Sequence, residues 1–138
     1  MFGTIKKDMN DDWRRHLPQR LLRLIAVPWT LCLIAGSLSP DYVKESIGTH
    51  SYHRPFHFIS FGATALLFLL ISNNRRREWI SVCGVFALGV TLEMLQCLLF
   101  DGYFEWWDVR DDALGVLIVF ALFRMADWWL RTGPEANT

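Results

Sequence analysis

The sequence predicts an all-α, polytopic membrane protein, a bundle of four transmembrane helices. Three observations predict it. First, four apolar runs lie near residues 21–39, 56–73, 79–100 and 110–130, each about the 17 to 25 residues that a helix needs to cross a bilayer. Second, apolar and polar residues do not alternate within these runs, which argues against barrel strands. Third, the charges are asymmetric although the net charge is zero. With the N-terminus inside, eleven basic residues fall on the inner side, and three (Lys44, Arg54 and Arg110) fall on the outer side. That split follows the positive-inside rule and sets both termini in the cytoplasm. The balance of 14 basic and 14 acidic residues gives no reason to expect a nucleic-acid partner.

Residues 1–20 form a cytoplasmic tail, read either as a disordered basic segment or as a short interfacial helix with Trp13 and its arginines at the headgroups. Residues 21–131 form the membrane domain, and residues 132–138 a disordered cytoplasmic tail. Span 1 carries Pro28, which neighbouring helices can accommodate. Pro28, Cys32, Gly36 and Ser39 make a small-residue stripe suited to helix contact. The outer loop 41–54 holds His50 and His53, with His57 just beyond. Solvated histidines are commoner than a metal site there, so no metal and no cofactor are expected. Span 2 opens at Pro55, suited to a first helical turn, and its stripe of His57, Ser60 and Thr64 suits hydrogen bonds between helices. A tight inner turn from Asn73 to Glu78 carries three arginines as a topology anchor. Trp79 opens span 3 at the inner interface. Tyr103, Phe104, Trp106 and Trp107 form an outer aromatic belt, and Trp128 and Trp129 an inner one. The three cysteines lie within spans without metal spacing and read as small packing residues.

The chemistry concentrates between Gly89 and Gly115. Glu93 lies in an apolar run, where a charge at the helix centre costs about 2.5 to 3.5 kcal/mol on insertion scales. Such residues usually face a bundle interior or a wet cavity. Gln96 follows on the same face. Asp108 reads as the N-cap of span 4, with Asp111 as a weak capping-box partner. Asp112 projects one turn deeper and is not explained by capping. His57, Glu93 and Asp112 are the candidates for acid–base work, since two carboxylates near one imidazole can divide into an acid and a base. Their depths predict that they converge in the outer half of the bundle. The surplus of acid there predicts that Glu93 holds or shares a proton.

These residues give the chain a resemblance to the VanZ-like family of bacterial membrane proteins, named for an accessory determinant of teicoplanin resistance. The family pattern has an Asp-Lys-x-x-His at the head of one span. A Glu-x-x-Gln follows in the next, then an Arg and an Asp-x-x-x-Asn-x-x-Gly opening the last. Here the first element reads His53-Arg54-Pro55-Phe56-His57. The second is intact as Glu93-Met94-Leu95-Gln96. The third keeps Asp108 and Gly115 but has Asp112 for the asparagine, and Gly102 stands about where the arginine would be. The resemblance covers roughly residues 24 to 125. It implies a polar set of Arg54, His57, Glu93, Gln96, Asp108, Asp112 and Gly115.

The resemblance implies an integral protein of the cytoplasmic membrane that acts in the cell envelope and modulates susceptibility to lipoglycopeptide antibiotics of the teicoplanin type. Its expected partners are the bilayer and a lipid-linked cell-wall precursor or a lipoglycopeptide. No nucleophilic serine, Cys/His pair or phosphate-cradling glycine loop accompanies the polar set, so a non-enzymatic role leads. Two alternatives stand beside it. One is a membrane-embedded enzyme or binding site for lipid-linked precursors or lipid headgroups, built on the His/Glu/Asp cluster. The other is a small proton-coupled transporter.

Overall fold

The computed structural model describes residues 17–39, 53–100 and 103–132. It contains four helices: α1 (Gln19–Ser37), α2 (His53–Ile71), α3 (Arg75–Leu99) and α4 (Trp106–Thr132). No strand occurs among the described residues. Each helix is long and apolar enough to cross a membrane, and the chain is an all-α, multi-pass membrane protein. The loop histidine His50, Gly102 and both predicted tails, apart from their few residues next to α1 and α4, lie outside the described residues.

The α2–α4 pair forms the most extensive helix contact, with α3 packed against both and α1 mainly against α2. Glycines set how closely α2 and α4 approach. A Cβ at Gly62 would meet the Gly115 carbonyl oxygen at 3.3 Å and Val119 Cγ2 at 3.2 Å, while one at Gly115 would collide with the Phe58 carbonyl oxygen. Small residues that let backbones approach drive helix association in lipid, where no hydrophobic effect operates between helices. The apolar core follows from this contact. Phe61, Ala65 and Leu69 from α2 interlock with Val82 and Val85 from α3 and with Val116 and Phe123 from α4. Many large apolar side chains point outward, among them Leu24, Ile59, Leu98 and Leu117, as lipid-facing residues do.

Helix α1 corrects the sequence reading. Pro28, Cys32 and Gly36 are exposed, and no atom of another element lies within 4 Å of a Cβ built on Gly36. The packed face instead carries Ala26, Leu33 and Ser37. Hydrogen bonds select that face: Trp29 Nε1 donates to Thr64 Oγ1 at 3.0 Å, and the Gln96 amide donates to the Ser37 carbonyl oxygen. Thr64 thus bonds between helices as its stripe predicts. Its hydroxyl also donates to the Ser60 carbonyl oxygen at 2.7 Å. Cys32 and Cys83 are exposed and so do not act as the small packing residues the sequence suggests, while Cys97 is half-buried.

Two helix starts also differ. Helix α3 begins at Arg75, a turn before Trp79, so the inner turn shrinks to 72–74. Asn74 has an extended backbone, and its side chain accepts from the Arg77 amide at 2.9 Å, an N-cap. Helix α4 begins at Trp106 rather than Asp108. The Asp108 amide donates to the Glu105 carbonyl oxygen at 3.0 Å, so Asp108 is a residue of the first turn and not its cap.

Candidate functional site: a buried histidine–carboxylate cluster

The site lies at the end of the bundle where α2 and α4 begin and α3 finishes, called the outer end after the predicted orientation. His57 enters from α2 and is buried. Its ring is stacked on Phe61 one turn deeper, with centroids 6.1 Å apart and planes 11° from parallel. Phe61 is itself fully enclosed, so the imidazole orientation is fixed from below. From α4, Asp108 and Asp112 are spaced one turn apart and share a face. His57 Nδ1 hydrogen-bonds to Asp112 Oδ1 at 3.0 Å. Nε2 faces Asp108 Oδ2 at 3.7 Å. All three side chains are less than a tenth exposed.

Helix α3 closes the third side. Gly89 leaves room for the Asp112 carboxylate: a Cβ there would stand 2.7 Å from Asp112 Oδ2. One turn on, Glu93 is buried, and it lies within electrostatic range of both His57 and Asp108. Its Oε1 accepts the backbone N–H of Glu105 at 2.8 Å. That amide immediately precedes α4, where helix-start N–H groups need external acceptors. Glu93 therefore ties the end of α3 to the start of α4.

Gln96 departs from the cluster. Its amide reaches α1 through the Ser37 carbonyl oxygen, so Glu93 and Gln96 serve different neighbours. Arg54 and Arg110 stand outside the cluster as well. Asp111 Oδ2 accepts from Arg54 Nε at 2.9 Å. Asp111 Oδ1 accepts from Arg110 Nε at 2.9 Å and from Nη2 at 2.5 Å. Asp111 is thus the buried anchor of two arginines and not a capping-box partner. Gly115 contributes closeness of backbones, not chemistry.

A second ionic cluster, which the sequence reading missed, lies near the inner end. Arg124 Nη1 stands 3.4 Å from Glu78 Oε2 and 3.3 Å from Asp127 Oδ2. Both acids are at most 2% exposed. The available signal was Asp127, an acid within the last span, four residues before its basic end. Between the two clusters lies the apolar layer of Phe61, Ala65, Leu69, Val82, Val85, Val116 and Phe123.

In chemical terms, a carboxylate on Nδ1 orients an imidazole as in hydrolase triads, where Nε2 then takes a proton from a nucleophile. Here Nε2 faces a second carboxylate instead. The Glu93 carboxylate already holds an amide. Among the described residues, no group of three or more His, Cys, Asp or Glu side chains is arranged to hold a metal ion. No family model, curated protein or solved structure matches the chain.

Proposed function

We propose that the chain is a VanZ-like protein of the bacterial cytoplasmic membrane, with both termini in the cytoplasm. It acts in the cell envelope without covalent chemistry and lowers susceptibility to teicoplanin-type lipoglycopeptides. The observation that carries the non-enzymatic part is the placement of His57 between Asp112 and Asp108. Both ring nitrogens face carboxylates of α4, and the third candidate, Glu93, holds the Glu105 amide. The three groups that acid–base catalysis would use are engaged in joining α2, α3 and α4. The family assignment rests on the order and spacing of His57, Glu93-x-x-Gln96, Asp108 and Gly115. The transporter reading is weaker, because an apolar layer rather than a polar path separates the outer and inner ionic clusters.

The test is a deletion strain challenged with teicoplanin and with vancomycin, complemented by wild type or His57→Gln. Wild type is expected to raise the inhibitory concentration of teicoplanin. His57→Gln keeps a hydrogen-bonding group but no base, and is expected to retain that effect at equal membrane yield. No response to wild type would overturn the antibiotic role. Loss of the response in a well-inserted His57→Gln would overturn the non-enzymatic reading.

A further inference from the structure

A groove opens beside the cluster along the outer part of α2. It is lined by Arg54, Pro55, Phe58, Ile59 and Asp111, is open along one side with a volume of about 540 Å³, and its walls are almost wholly apolar. Its polar end carries Arg54 and Asp111, and Arg110, which bonds to Asp111, stands beside it. The side chains of Arg54 and Arg110 are 55% and 45% exposed, whereas Asp111, which joins them, is 10% exposed. Both guanidinium carbons stand over the Trp107 ring, at 5.7 Å and 4.6 Å from its centroid. Asp111 engages Nε of Arg54 and Nε and Nη2 of Arg110. The terminal nitrogens of Arg54 and Nη1 of Arg110 have no described protein partner. Asp111 is the one carboxylate in a described ion pair with either guanidinium.

We propose that this groove binds a phospholipid with an anionic headgroup, its phosphate on Arg54 and Arg110 and an acyl chain along Pro55, Phe58 and Ile59. The charge is complementary, and guanidinium forks match phosphate oxygens. The depth is also right. Trp106 and Trp107 are exposed at the head of α4, the level at which tryptophans meet headgroups. Ile59 lies five residues farther along α2 than Arg54, about 7 Å deeper at the helical rise, where a chain begins. The stacking on Trp107 and the anchor at Asp111 hold the guanidiniums in place before a ligand arrives, which lowers the ordering cost of binding. Of the lining residues only Arg54 is in the polar set that the family resemblance implies, and the test below reads lipid retention, not antibiotic response.

Native mass spectrometry of the full chain in detergent tests it. The probes are dioleoyl phosphatidylglycerol, dioleoylglycerol (the same chains without phosphate) and glycerol phosphate (the phosphate without chains). Wild type is expected to retain one phosphatidylglycerol in preference to both other probes. Losing charge-assisted bonds in Arg54→Gln/Arg110→Gln is expected to weaken retention about tenfold or more. Ile59→Trp, which fills the groove and keeps both arginines, is expected to weaken it too, while Arg76→Gln on the inner side leaves it unchanged. Equal retention by the double variant or by Ile59→Trp overturns the proposal. So does equal binding of dioleoylglycerol, which means an apolar groove alone, or of glycerol phosphate, which means a free-phosphate site.

Discussion

The carboxylate of Asp112 occupies the space that a side chain at Gly89 would need. A Cβ on Gly89 would stand 2.7 Å from Asp112 Oδ2 and 3.1 Å from Phe61 Cε1. Gly89→Ala therefore pushes Asp112 off His57 or moves α3 away from α4. Overpacking of this kind costs about 1–3 kcal/mol, so a lower Tm is expected in a fixed detergent. Gly36→Ala is the control. Its Cβ meets open space, alanine is the better helix former, and its Tm is expected to be unchanged or higher.

Glu93 is tested by charge and by shape. Glu93→Gln keeps an oxygen acceptor for the Glu105 amide and is expected to insert and melt close to wild type. Glu93→Ala leaves that amide without its acceptor and is expected to lose about 1–3 kcal/mol. Glu93→Lys adds a donor and a charge where an acceptor is required and is expected to fail in membrane yield. A Gln variant as unstable as the Lys variant would mean that the native group is an ionised, paired carboxylate.

The inner cluster predicts an asymmetry. Arg124→Ala removes a positive charge from between two buried acids, and breaking such an arrangement is strongly destabilising. Because the Arg124 side chain is a quarter exposed, a loss of about 3 kcal/mol is expected, the low end for buried pairs. Both contacts run through a single nitrogen, so Arg124→Lys, a point charge, is expected to keep most of the stability. Equal melting of the Ala and Lys variants would show that charge is not what Arg124 contributes.

Orientation has a direct check. Reporter fusions at Gly48 and Asn74 are expected to read outside and inside respectively, as the distribution of basic residues requires. An outside signal at Asn74 would reverse the model and place the arginine-flanked groove in the inner leaflet.

The four helices were legible because bilayer-length apolar runs are a property of local sequence, needing no knowledge of neighbours. His57, Glu93 and Asp112 stood out for the same reason, as ionisable groups inside such runs. What was not legible depended on partners far away in the chain. Asp111 resembled a helix-start residue because its partner Arg54 lies 57 positions earlier. The face of α1 was misjudged because a small-residue stripe is a permission to pack, while Trp29 and Thr64 decide which side does. Asp108 looked like a cap because the acceptor for the loop amide at Glu105 comes from α3. Glu78 and Asp127 were missed because acids near span ends ordinarily face headgroups, and nothing local says that these two turn inward onto Arg124.

The apolar layer between the two ionic clusters has an electrical meaning. Asp112 and Arg124 are twelve residues apart on α4, about 18 Å at the helical rise, and the side chains between them carry no charge. A low-dielectric slab of that thickness acts as an insulator, and a transmembrane voltage falls mainly across it. The His57 cluster then lies on one side of that slab and the Arg124 cluster on the other. A voltage across the membrane therefore acts between the two clusters, and carrying a charge from one to the other would take up most of its drop.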